Sequence, residues 1–441
     1  MPAALVGLNP VRARRPAPPR TLPYARHARP PSQKGPRAVT EAPASDDVDL
    51  PLLRQCPYAP PERYDTFRAT GAPIPGRIHN GRRVWLVTRH DQARAVLGDE
   101  RFSSDITNPG YPLYAAAFEG FRAFPLLNTI DPPLHTAHRK ALVREFTLRR
   151  AEDLRPRMER KADELIDGMV AAGGSADLVG QFAEPFAASI TCWALGMEYA
   201  DMQAWLASVY ASDGAPKDPE EAAAAAAKAI LALQEYFTRF VDAKYESPGD
   251  DPISRVIAEH VVGGSLTKAE LAGLCFVIFT AGQKPVQTML TVGVGMLLEH
   301  PDQLALVRED PAALPAAVDE TIRMVSPLDL MPRVAREDVE VAGQLIRAGE
   351  GVIVAGGGAN RDPAEFPVPD RFDVRRSARG HLAFGSGIHH CLGANLTRVG
   401  LEVAYGTLFR RLPELRLTAP LQEAYTMPSW HPDIPRLPVS Y

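Results

Sequence analysis

The sequence has little of what a disulfide scaffold or a structural zinc site needs. Four cysteines, Cys56, Cys192, Cys275 and Cys391, are scattered over 441 residues, and no C-x-x-C pair occurs. A reducing cytoplasm suits such a chain. Long apolar runs are also missing. The longest strongly apolar stretch, residues 271–282, is too short to cross a bilayer, so no membrane insertion is expected. No internal repeat is visible. Neither sign of charge dominates: 49 Lys and Arg stand against 53 Asp and Glu, and nothing in that balance demands a nucleic-acid partner. Acidic residues are absent from positions 1–40, which carry eight Lys or Arg and nine Pro. Such a segment cannot bury enough apolar surface to offset its ordering entropy. A disordered basic tail is expected over residues 1–45, without the apolar centre of a secretory signal. An electrostatic arm for an acidic partner is the functional alternative. The other 401 residues carry 41 bases and 53 acids, a net charge of −12.

What is present is mostly helical pattern. Residues 134–208 read as helix. Residues 219–245 form another, with Pro219 suited to the first turn and an Ala-rich run behind it. Thr267-Lys-Ala-Glu270 is a capping-box sequence opening a mostly apolar helix to about Glu299, which should cross the interior. A further helix ends near Val325. Asn80-Gly81 between strand-like runs predicts a hairpin, with Thr88 starting a short helix that ends at Gly98. Val339-Glu-Val and Val352-Ile-Val predict a small antiparallel sheet. Residues 103–128 form a long aromatic loop whose rings suit a pocket wall or satellite packing alike. The fold class is mainly α with a minor antiparallel β part in one large domain, residues 46–441.

One stretch carries chemistry: Phe384-Gly-Ser-Gly-Ile-His389-His390-Cys391-Leu-Gly393. Glycines let the backbone approach a flat ligand, and the loop delivers one Cys to the start of a helix, where the dipole favours thiolate. Thiolate is the metal-ligating form. The other three cysteines read as small buried hydrophobes. Elsewhere, Glu320-Thr-Ile-Arg323 places an acid and a base on one helix face.

The ten-residue stretch resembles the haem-binding signature of the cytochrome P-450 superfamily, F-G-x-G-x-H-x-C-x-G, at all its fixed positions. Glu320-Thr-Ile-Arg323 matches the family's E-x-x-R. Phe366-Pro-Val-Pro-Asp-Arg371-Phe372 resembles the segment whose Arg completes that buried triad. His135-Thr-Ala-His-Arg139 resembles the propionate-binding helix, and Pro332-Arg333-Val-Ala the family's Arg-x-Ala strand. The resemblance covers residues 50–441 and implies haem b, with Cys391 as the iron ligand whose thiolate pushes electron density to the metal. It further implies that His135, Arg139, Arg333 and His389 bind propionates, that Phe384 shields the sulfur, and that Gly393 closes the loop. Glu320, Arg323 and Arg371 would be structural, His390 a packing residue, and Gly400 a harmless departure from a common Glu.

The family's A-G-x-acid-Thr pattern is broken. Ala281 and Gly282 match, but Lys284 replaces the acid and Pro285 the Thr. In the family that pair helps deliver protons during dioxygen activation. Proline donates no hydrogen bond, frees the Ala281 carbonyl and should kink the helix. Ordered water, Lys284, Thr288 or a substrate hydroxyl are candidate replacements. Alternatively the reaction is oxidative coupling, cyclisation or desaturation without oxygen insertion. A non-catalytic haem-binding or recruitment protein, and a non-oxidative isomerase or dehydratase, are readings of other classes.

The resemblance places Tyr111, Tyr114, Phe118 and Phe121 over the distal pocket, beside Phe279, Asp329 and Leu330, and so implies an apolar or aromatic small-molecule substrate of bacterial specialised metabolism. It implies electrons from NAD(P)H through ferredoxin reductase and ferredoxin, since no flavin or iron–sulfur domain is attached. Lys140, Arg144, Arg149, Arg150, Arg375, Arg376 and Arg379 are the expected docking face on a cytoplasmic monomer.

Overall fold

The computed structural model describes residues 47–123, 126–210, 219–425, 429 and 431–441. The expected basic tail lies outside them. No described helix is long and apolar enough to cross a membrane.

Helices form where apolar residues recur every three or four positions. Met158, Ala162, Ile166 and Met169 line one face of Leu148–Ala172 and are buried against Ala394–Arg411. The capping box forms as expected. Thr267 Oγ1 accepts from the Glu270 amide at 3.1 Å, and Glu270 Oε2 accepts from the Thr267 amide at 2.7 Å. Behind it the interior helix runs Lys268–Thr288, passes through a π turn at Met289–Gly293 and continues as Val294–Glu299. The chain stays helical through Pro285. Tyr405 Oη donates to the Met289 carbonyl at 2.7 Å in the π turn. A Cβ at Gly293 would lie 2.1 Å from that hydroxyl, so only glycine lets the two helices approach so closely.

The main sheet has six strands in the order Val48–Asp49, Ile74–Arg77, Arg83–Val87, Gly351–Ala355, Leu330–Ala335, Phe102–Ser103. Two of its pairings are parallel, so it is mixed rather than antiparallel throughout. The Asn80-Gly81 hairpin is present, with Gly81 alone at positive φ (78°) and Asn80 Oδ1 accepting from the Arg82 amide at 3.1 Å. Two expectations are corrected. Val339–Val341 pairs with Gln344–Ile346 in its own hairpin, whereas residues 352–354 enter the main sheet: burial on both faces selects the second run. Thr88 does not cap the next helix, His90–Gly98. Asp362, 272 positions away, accepts from the His90 amide at 2.9 Å instead.

The largest apolar cluster joins Leu148–Ala172, Glu184–Ala194, Leu314–Val325 and Ala394–Arg411. A second lies around Phe237, Phe276 and Phe279, with Cys192 and Cys275 buried within it as small hydrophobes. Leu396 touches both, so the helix after Cys391 sits between them.

Candidate haem-thiolate site

The site is built on a buried ionic base. Glu320 and Arg323 share one face of Leu314–Val325 and are both 0 % exposed. Arg323 Nε donates to Glu320 Oε2 at 2.7 Å, and Arg323 Nη1 to the Asn360 carbonyl at 2.7 Å. The third member is Arg376, not Arg371. Arg376 Nε donates to Glu320 Oε1 at 3.1 Å, and its other nitrogens donate to the carbonyls of Pro367, Val368 and Arg371. A turn at Asp373, whose carbonyl accepts from the Arg376 amide, folds this arginine back onto Glu320 and leaves Arg371 at the surface. Both Glu320 oxygens are thereby engaged, as a buried charge requires.

The cysteine loop sits beside this base. Gly385 and Gly387 both take φ of 70°. A Cβ at Gly387 would lie 2.5 Å from the Leu97 carbonyl, so the loop touches the end of His90–Gly98. The Cys391 amide donates to the Phe384 carbonyl at 2.8 Å. The Phe384 ring has the Arg398 guanidinium 4.7 Å from its centroid, with His381 at 5.5 Å and His390 at 6.3 Å. Arg398 is held in turn by Asp319 at 2.7 Å. Cys391 opens onto free space yet lies deep among protein atoms, unlike buried Cys192 and Cys275. Burial pushes its thiol up, against the Gly393 amide, Arg139 and Arg398, which favour thiolate. The helix-dipole expectation is thus corrected for the free thiol: desolvation wins. The helix proper begins only at Ala394. A coordinated metal reverses that balance, since it binds thiolate outright.

Four nitrogen-bearing side chains converge next to the loop. The His135 and His389 rings lie 4.2 Å apart. His135 Nε2 and His389 Nδ1 are buried without a hydrogen-bond partner among the described residues. Arg333, 7 % exposed, donates among the described residues only to the carbonyl of its neighbour Pro332, at 2.8 Å. Burial pushes Arg139 and Arg333 down. Burial, then Arg333 and His135, take His389 to about 3. Burial and Arg139 lower His135. The nearby acid, Asp131, is committed to Ser103, the Ser104 amide and Arg336. A cluster of donors with this shortage of acceptors fits a ligand bearing carboxylates, and the adjacent thiol fits iron. Iron protoporphyrin carries both.

The interior helix flanks the same region. Ala281 is exposed although Phe276, Val277 and Phe279 beside it are buried, so free space borders the helix there. A Cβ at Gly282 would lie 3.0 Å from Thr191, which accounts for a small residue. Thr288 is buried. Lys284 does not project freely: its Nζ pairs with Asp433 Oδ1 at 2.6 Å.

The comparisons agree with this geometry. The cytochrome P450 family model matches residues 217–413. Pentalenic acid synthase of Streptomyces avermitilis is 44% identical over 381 residues, covering 86% of this chain and 93% of that protein. The chain belongs to the cytochrome P450 family. Among solved structures, cytochrome P450 MoxA from Nonomuraea recticatena aligns with a TM-score of 0.80 at 38% identity, covering 89% of this chain and 98% of that one. The mycinamicin VIII C21 methyl hydroxylase MycCI from Micromonospora griseorubida, bound to mycinamicin VIII, aligns at 0.81 and 32%, covering 89% and 100%. This P450 is therefore an oxidoreductase of the bacterial haem monooxygenase type.

Several expected substrate residues sit elsewhere. Asp329 faces neither substrate nor water: Tyr64 Oη (3.1 Å) and the Gly357 amide (2.6 Å) donate to it, with Arg54 at 3.9 Å, and it is 1 % exposed. Leu330 and Tyr114 pack under the main sheet with Tyr64 and Ile353, while Tyr111 packs with Ile106, Leu113 and Val334. Phe279 packs on Phe237, ring centroids 5.8 Å apart. Buried this way, these five offer no open face to a ligand. Phe118 and Phe121 are half-buried and keep one. The expected docking face also shrinks. Arg376 belongs to the triad, Arg144 pairs with Glu259 at 2.6 Å, and Arg150 faces Glu145 and Asp153. Lys140, Arg149 and Arg375 remain exposed, as does Arg379, which faces Asp319 at 3.7 Å. A Cβ at Gly400 would lie 2.8 Å from the Cδ1 tip of Ile190, a contact that a shift of that flexible side chain relieves. Sequence reasoning missed Asp433, Arg398 and Asp131. Only Arg398 carried a local signal, as a base on the helix face that follows the cysteine.

Proposed function

We propose that this P450 hydroxylates an apolar small molecule in bacterial specialised metabolism. The carrying observation is the cluster of His135, Arg139, Arg333 and His389 beside Cys391, in which His135 Nε2 and His389 Nδ1 are buried without a partner among the described residues. They would hold the haem carboxylates while Cys391 ligates iron. The bound haem supplies reductive activation of dioxygen. Phe384, pinned by Arg398, keeps water from the sulfur. Apolar faces of Phe118, Phe121, Ala281 and the 44 % exposed Leu328 are available to an apolar substrate. Relatives named for pentalenic acid synthesis and for mycinamicin hydroxylation support a natural-product substrate.

Electrons would come from NAD(P)H through a ferredoxin reductase and a ferredoxin docking at Lys140, Arg149, Arg375 and Arg379. Four free cysteines suit a cytoplasmic, reducing setting. The test is a carbon monoxide spectrum of the reduced protein, followed by turnover with a surrogate ferredoxin. Thiolate-ligated haem and a product heavier by one oxygen are expected. A spectrum without thiolate ligation overturns the reading.

A second reading is oxidation without oxygen insertion, by coupling, cyclisation or desaturation. It is favoured by Pro285, which has neither hydroxyl nor amide proton, and by Lys284 being engaged by Asp433. A product lighter by two hydrogens would select it.

A further inference from the structure

The Lys284 and Asp433 side chains are separated by 149 positions, yet meet at 2.6 Å. Lys284 lies one turn beyond Ala281, on the helix face bordering the free space. Three residues apart on a helix is the same side. The Lys284 side chain is 22 % exposed and that of Asp433 32 %, so the pair is not sealed from solvent. Asp433 is the one acid within ion-pair distance of Lys284 among the described residues. In its segment the His431 ring meets the Pro327 carbonyl at 3.3 Å, next to exposed Leu328. Pro285 adds an acceptor on the same turn, because the Ala281 carbonyl has lost its amide donor.

An ammonium in the protein needs an anion, and a partly exposed ion pair is weak. Its acid can therefore be exchanged for another at little cost. We propose that Lys284 is the anchor for a carboxylate on an otherwise apolar substrate, and that Asp433 occupies the anchor until the substrate displaces it. This rests on the space beside Ala281 being the substrate pocket. It makes Lys284 a specificity-determining residue and Asp433 its built-in competitor. The lysine that replaces the family's acid then serves recognition, and the two segments it joins separate when substrate enters.

The test compares matched apolar acids and their methyl esters, from octanoate to hexadecanoate, on the purified holoenzyme. Two readouts are used: the substrate-induced change in the haem spectrum, and protection of Lys284 from acetic anhydride, read by peptide mass spectrometry. Acids should bind at least tenfold tighter than esters and protect Lys284. Lys284→Met should abolish that preference, and Lys284→Arg should retain it. Asp433→Asn should tighten acid binding up to about fivefold and raise Lys284 labelling in the free enzyme. Equal binding of acids and esters, or a preference that survives in Lys284→Met, overturns the proposal. The labelling arm does not depend on turnover, so a failure of the proposed oxidation and a failure of the anchor give different results.

Discussion

The two sides of the haem site are held together very differently. On the thiolate side, Glu320, Arg323, Arg376, Asp319 and Arg398 form a dense ionic frame around one loop, and most of these groups make two or more bonds. On the interior-helix side, Lys284 pairs with Asp433 near Ala281, while the helix's other ion pairs among the described residues, Glu270 with His138 and Lys268 with Asp242, lie at its far end. The cofactor's chemistry is fixed, so its frame is rigid and redundant. A substrate must enter and leave, so the opposite wall uses contacts that can part. Rigidity and exchangeability are thus divided between two faces of one cavity.

The sharpest way to break this contrast is Glu320→Gln. It leaves Arg323 and Arg376 unpaired in the interior and should cost about 3–5 kcal/mol. Little folded haem protein is expected in expression yields and thermal melts. Glu320→Gln surviving with an unchanged melting temperature would remove the basis for calling that side rigid. Next is Arg333→Leu, which deletes one charge-assisted carboxylate partner worth about 2 kcal/mol. Haem should pass to an apo-globin acceptor roughly 30-fold faster.

A pH series comes third. His389 sits at about 3 and His135 is also lowered, both below the ordinary histidine value of 6.5. Below that value the unfolded chain binds protons that the folded haem-free protein refuses, so its stability should fall as pH drops below 6.5. Bound carboxylates would raise both groups, and the decline should be smaller in the holoenzyme. Parallel melts of the two forms from pH 7.5 to 5 measure the difference. Fourth, an acid at 284 with Thr at 285 should change the peroxide released per NADPH severalfold. No change would mean that water or substrate already carries the protons. The smallest effects belong to the surface. Arg375→Glu should slow reduction by ferredoxin at low salt and lose its effect at high salt. Arg144→Glu should do less, because Glu259 already neutralises Arg144.

The same contrast explains what could be read without coordinates. The Glu320–Arg323 pair was legible because its members lie three residues apart, and the separate short motifs holding His135 and His389 do meet in the fold, their rings 4.2 Å apart. The capping box at Thr267 was legible for a similar reason, as its two partners lie three residues apart. Arg376 was not. Choosing between Arg371 and Arg376 depends on the turn at Asp373, and the local pattern favours the wrong arginine. Asp329 looked like a loop acid, and only the long-range approach of Arg54 and Tyr64 makes it structural. Asp362 capping His90–Gly98 and Asp433 meeting Lys284 span 272 and 149 positions, and nothing in either segment announces its partner.

The helix His90–Gly98 is held at both ends. Its first amide is fastened to Asp362, its His90 ring holds the Gly380 carbonyl at 2.9 Å, and its far end presses on Gly387. It is a strut, bolted at one end to the chain that leads into the cysteine loop and braced at the other against the loop itself. Loosening the bolt, far from the iron, should let the sulfur wander. Asp362→Ala would then show up first as a mixture of thiolate and thiol ligation in the spectrum, before any loss of fold.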